Sequence, residues 1–168
     1  QQLQEVYQII QPKLAKIGIK VLGQGLDGSR DNLLYRLQKE EKICLLGASS
    51  FWEGVDVTGE ALSLLIVVRL PFWPVFEPYT QAKLERFTKE GRDAFRDYSL
   101  PQAVIRFKQG FGRLIRSKND RGAFAVLDRR IWEKSYGRYF LQALPAMNQE
   151  KGNTNAMAFA ITQWLDSL

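Results

Sequence analysis

The sequence predicts an α/β fold built on a mostly parallel sheet with helices on both faces, and three observations lead there. Short apolar runs alternate with stretches of helical period, the order in which β-α-β units wind a parallel sheet. The run at residues 62–70, LSLLIVVRL, is apolar without alternation, as a strand covered on both faces requires. At 168 residues the chain has the size of one domain, able to bury roughly two thirds of the surface its unfolded form exposes.

Taken in order, residues 1–17 place Leu3, Val6, Ile10, Leu14 and Ile17 at helical spacing, with Pro12 as a kink or break. A chain that opens inside a helix is expected to be a piece of a longer polypeptide. Residues 19–22 form a first strand, followed by the glycine-rich GQGLDGS and a helix over 32–39 capped by Ser29 or Asp31. Gly23, Gly25 and Gly28 do not make a phosphate loop, because the spacing G-x-x-x-x-G-K-[ST] occurs nowhere in the chain. Residues 42–48 (KICLLGA) and 62–70 are the second and third strands. Between them SSFWEGVDVTG, residues 49–59, leaves the carboxyl end of a strand, where parallel sheets bind ligands. It also reads as a tight acidic turn.

After the third strand comes LPFWPVFEP, whose Phe72, Trp73 and Phe76 either stack on bases or pack as a lid. Helical period then runs over residues 80–98, and Pro101 suits the first turn of the next helix. At about 100° per residue, Gln109, Arg113 and Arg116 of that helix fall within roughly 60° of one another. Val104, Phe107, Phe111, Leu114 and Ile115 lie opposite. Gly110 and Gly112 would each cost about 1 kcal/mol against alanine inside a helix, which points to a close approach, and a phosphate chain fits. The other reading is an ordinary amphipathic helix with a solvated basic side. Asn119 to Gly122 make a turn, residues 123–127 (AFAVL) a buried fourth strand, and Asp128 and Arg130 stand at its end. Helices over 136–144, closed by Pro145, and over 154–168 follow, separated by the linker-like NQEKGN.

Composition removes whole classes of chemistry. The chain has no histidine, so imidazole bases, histidine triads and His-ligated metals are excluded. Its single cysteine, Cys44, allows no internal disulfide and no multi-thiolate zinc or iron–sulfur site, and reads as a small core residue. No apolar run reaches the roughly 18 residues of a membrane span, and the expected location is cytoplasmic. The net charge of +6 comes entirely from residues 83–121, with 11 basic and 5 acidic side chains against 13 and 13 elsewhere. That window suits a polyanion, or a helix face laced with pairs such as Glu85 and Lys89.

Gln109, Gly112, Arg113 and Arg116 in the spacing Q-x-x-G-R-x-x-R, followed by Asp120, Gly122, Asp128 and Arg130, resemble motif VI of superfamily 2 helicases in the form used by the XPD/DinG branch. Phe51, Trp52, Glu53, Gly54, Val55, Asp56 and Gly59 resemble motif V of that branch, and LPFWPVFEP its L-P-F-x-x-P segment. The resemblance implies that residues 1–168 are the single C-terminal RecA-like motor domain of a DinG-like, ATP-dependent DNA helicase of 5′ to 3′ polarity, with the upstream motif IV strand missing. Arg113 and Arg116 would be arginine fingers and Gln109 would position water or a phosphate oxygen. Gly112, Glu53, Gly54 and Asp56 would meet the nucleotide, and Ser49, Ser50, Phe51, Trp52 and Trp73 single-stranded DNA. ATP and Mg²⁺ would be held mainly by the N-terminal RecA-like domain of the same polypeptide, and any iron–sulfur cluster would lie outside this chain. A non-catalytic single-strand-binding module, or a domain whose arginine face binds an acidic protein, accounts for the basic window without ATP.

Overall fold

A computed structural model describes residues 2–48, 51, 62–117 and 119–167. It divides into two compact units, Gln1–Leu62 and Ser63–Leu168.

In the first unit α1 (Gln2–Ala15) leads to β1 (Lys20–Gly23), α2 (Arg30–Lys39) and β2 (Ile43–Leu46). Pro12 does not break α1. The helix stops at Gly18, whose φ of 75° is the left-handed turn that glycine adopts without strain. There Ile19 N–H donates to Leu14 O at 3.0 Å and Gly18 N–H to Ala15 O at 3.1 Å, the paired bonds of a Schellman ending. β1 and β2 run parallel with Lys20 opposite Ile43 and Gly23 opposite Leu46, and α2 is the crossover that a parallel pair needs. Ser29 caps α2, its side chain accepting from Asn32 N–H. Buried Leu22, Leu33, Leu37 and Phe51 form the core, with Leu34, Ile43 and Leu45 packed against it. In the glycine-rich turn the Asp27 carboxylate accepts the Gly23 N–H at 2.8 Å and the Gln24 carboxamide accepts the Ala48 N–H at 2.8 Å. The turn thus satisfies its backbone donor internally instead of offering it to an anion.

In the second unit β3 (Leu64–Val67) pairs in parallel with β4 (Ala123–Val126), Leu64 opposite Ala123. The crossover holds α3 (Pro78–Lys89), a π-helical turn over Phe95–Ser99 and α4 (Leu100–Leu114); α5 (Arg130–Glu133), α6 (Gly137–Gln142) and α7 (Thr154–Leu165) follow β4. Aromatic rings fill this core. Phe107 meets Phe124 and Phe140 at 5.2 and 5.3 Å, and Phe72 meets Phe140, Phe95 and Tyr136 at 5.7–5.8 Å, within the range where edge and offset contacts add to burial. The α/β class and the parallel strands agree with expectation.

Three local expectations are corrected. The helix expected over 80–98 is split: α3 ends at Lys89, Gly91 turns the chain at φ 71°, and a wider π turn restarts it. The strand expected over 62–70 is four residues long, and Ile66 within it and Val68 just after it are about half exposed. α4 ends at Leu114, where Ile115 is extended at φ −120° and ψ 106°, so Arg116 lies beyond the helix that was expected to carry it.

Candidate functional site

The site is built on α4. Ala103, Arg106, Phe107, Gly110, Phe111 and Leu114 form its buried face, following the i, i+3, i+4 pattern. Opposite them Gln109 is exposed and Arg113 half-buried. The Arg113 Nε is fully buried and has no hydrogen-bond partner among the described residues; a buried donor left unsatisfied costs about 1–3 kcal/mol. Apart from its chain neighbours and its own helix backbone, no atom of the described residues lies within 4 Å of where a Cβ on Gly112 would stand. Arg113 thus follows directly on a backbone position with space around it, while its Nε is shielded from solvent.

Past Leu114 the chain turns, and Asp120 organises the turn. Its Oδ2 accepts the backbone N–H groups of Arg116 and Ser117 at 2.7 and 2.8 Å, while Oδ1 accepts the Ser117 hydroxyl at 2.8 Å. These bonds, the Ser117 N–H first and then that of Arg116, hold the carboxyl below its ordinary range. Gly122 lets the chain pass close to Leu114, because a Cβ there would force the buried Leu114 side chain to shift. Arg116 itself is exposed, and the 116–120 turn, not the helix, sets where its backbone stands.

Asp128, at the end of β4, has a side chain only 8% exposed. Its Oδ2 accepts the Leu70 N–H at 2.8 Å and meets Arg130 Nη2 at 2.6 Å, while Oδ1 takes Arg130 Nε at 2.9 Å. Burial pushes the carboxyl up, but the Arg130 guanidinium and the Leu70 N–H outweigh it, leaving the group below its usual range. Arg130 also lies 5.5 Å from the Phe72 ring. The pair thus ties the β4 end to the segment that leaves β3.

Trp73 belongs to that segment, and the Arg106 guanidinium lies 4.0 Å from its ring while Arg106 Nε donates to Pro71 O at 2.9 Å. Arg106 was not singled out in the sequence, although it falls on the same i, i+3 row as Ala103 and Gly110. One expectation is overturned here. Phe51 is 8% exposed and packed among Leu22, Leu33 and Leu37, so its ring is committed to the core and offers no accessible face to a base. Ser49, Ser50, Trp52, Glu53, Gly54 and Asp56 lie outside the described residues.

Comparison with known proteins decides the family. A model of the helicase C-terminal domain matches residues 1–147. The chain belongs to this helicase C-terminal domain family. It is 43% identical over 144 residues to a 3′-5′ exonuclease DinG of Bacillus subtilis (strain 168), covering 85% of this chain and 16% of that protein. It is 42% identical over 144 residues to an ATP-dependent DNA helicase YoaA of Haemophilus influenzae, covering 86% and 22%. To an ATP-dependent DNA helicase YoaA of Escherichia coli (strain K12) it is 40% identical over 145 residues, covering 86% and 23%. The chain therefore spans less than a quarter of the length of these curated relatives. In this helicase C-terminal domain, α7 lies beyond the matched residues. Among the described residues no group of three or more His, Cys, Asp or Glu could hold a metal ion, and no helix is long and apolar enough to cross a membrane.

Proposed function

We propose that residues 1–168 act together as the second RecA-like motor domain of a DinG-like, ATP-dependent DNA helicase. ATP is the substrate, and it and Mg²⁺ are gripped by the N-terminal motor domain of the same polypeptide. Arg113 and Arg116 reach the terminal phosphates across the cleft, where guanidinium donors stabilise the charge that develops as the γ-phosphoryl group transfers. Gln109 orients the attacking water or a phosphate oxygen, and Gly112 leaves room for the phosphate chain. Motif V residues Glu53, Gly54 and Asp56 approach the nucleotide, while Ser49, Ser50, Trp52 and Trp73 contact single-stranded DNA, on which the motor moves 5′ to 3′.

The observation that carries this reading is the half-buried Arg113 on α4 directly after Gly112, where the backbone leaves open space. An anion seated at Gly112 would lie beside the Arg113 cation, and closing the cleft on ATP and reopening it after hydrolysis is what separate rigid halves permit.

The test uses a protein carrying both motor halves. Arg116→Ala and Arg113→Ala should lower ATP turnover by about 10³-fold or more, the usual weight of an arginine finger, with oligonucleotide affinity changed less than about threefold. Equal loss of turnover and DNA binding would assign the arginines to structure. The 168-residue chain alone should hydrolyse ATP negligibly, and DNA-stimulated turnover by it would sink the division of labour. Oligonucleotide affinity that ignores an ATP analogue would mark a non-catalytic binding module instead.

A further inference from the structure

Trp73, Glu77, Tyr79, Thr80, Lys83, Tyr98 and Gln102 line an open cleft of about 340 Å³ in the second unit. It lies where the segment leaving β3 meets the first turns of α3, the π-helical turn and the start of α4. Three aromatic rings, the Lys83 cation, the Glu77 carboxylate, the Thr80 hydroxyl and the Gln102 carboxamide share this small wall. Tyr79 is 68% exposed, so its large apolar face is held in water by the local fold. Lys83 Nζ stands 5.4 Å from that ring and makes no ion pair among the described residues, whereas arginines further along pair with Glu90, Asp93 and Asp97. Trp73 is clamped from one side by Arg106 at 4.0 Å and also lines the cleft, so its plane is fixed before anything arrives. The volume is near the low end of the roughly 300–1,000 Å³ of small-ligand sites, which suits one planar group and not a duplex end.

We propose that this cleft takes one unpaired nucleobase of single-stranded nucleic acid. The base stacks on the exposed ring of Tyr79, with Trp73 as the wall of the cleft, Gln102 meets its polar edge, and Lys83 takes the neighbouring phosphate. Although Glu77 stands on the same wall, Lys83 argues for this occupant: it opens the stretch of 83–121 that carries the protein's whole positive excess, and aromatic platforms beside cations are how single strands are held without reading sequence. The inference rests on the DNA-translocating reading above and adds to it a particular base-binding position. It fails separately from that reading, because its variants and readout differ from those of the arginine fingers.

The experiment measures the affinity of the protein with both motor halves for a short dT oligonucleotide and for the same oligonucleotide carrying abasic positions. The ratio of the two affinities reports what the bases contribute. Tyr79→Ala should reduce that ratio by roughly five- to tenfold, the size expected for one lost stacking contact, and Tyr79→Phe should keep it. Lys83→Gln should weaken intact and abasic strands alike and lower the slope of log affinity against log salt by about one. Trp73→Leu is the riskier variant because Arg106 packs on the indole, so Tyr79 decides. A ratio unchanged in Tyr79→Ala, or intact and abasic strands weakened equally by it, overturns the proposal.

Discussion

The two units solve the same problem with different materials. Each is a parallel pair of four-residue strands joined through helices, yet the second is filled with interlocking rings around Phe107 and Phe140, while the first rests on Leu22, Leu33, Leu37 and Phe51. Their longest helices show the contrast most sharply. α4, with 15 residues, buries seven of them, whereas α1, with 14, buries none. Both have an apolar stripe of helical period. The stripe is written in the sequence; what covers it is not.

The largest effect that would sharpen this contrast is Phe107→Ala, which should cost about 3–5 kcal/mol by opening a cavity between the Phe124 and Phe140 rings. Ile9→Ala on the exposed side of α1 should stay within about 0.5 kcal/mol. Urea denaturation of the protein measures both, and comparable losses would break the contrast.

Next in size is Asp128→Ala, expected to cost about 1.5–3 kcal/mol through hydrogen bonds to a charged group. Because the folded-state pKa of Asp128 is lowered, its stabilisation is complete above the unfolded carboxylate value of about 3.9 and is lost as pH falls through the folded value. The stability gap between wild type and variant should therefore be constant above about pH 5 and close in stronger acid. A gap that widens on acidification would contradict the geometry.

The smallest effect belongs to the first unit, where Ser29→Ala removes the cap of α2. Its long 3.4 Å bond to Asn32 N–H places the loss near the lower end of the usual range, about 0.5–1 kcal/mol, measurable by the same denaturation.

Much of this architecture was readable from residue order. The four strands lie where apolar runs predicted them, Ser29 caps α2, Pro101 sits in the first turn of α4 and α7 opens at Thr154. Periodicity failed where a single backbone choice outweighs it. Gly91 adopts a left-handed conformation and divides what looked like one helix, and Ile115 becomes extended because the Asp120 carboxylate draws the next two N–H groups into a turn. A helical wheel carries both arginines on one rod because it contains no term for that carboxylate.

Arg106 was missed for a related reason. Reading it as part of a basic surface counts its charge, but its position in the buried row of α4 sets its partners, the Pro71 carbonyl and the Trp73 ring. Phe51 shows the reverse error: an aromatic beside a suspected binding loop turned out to be the anchor of the first core.

The extended residue at the end of α4 has a mechanical consequence. Arg113 stands on a helix wedged into the core, whereas the backbone at Arg116 belongs to the stretch whose Arg116 and Ser117 N–H groups the Asp120 carboxylate takes. Removing that carboxylate should therefore disturb the stretch after α4 more than the helix itself, so the two cations need not shift as one although only three residues separate them in the chain.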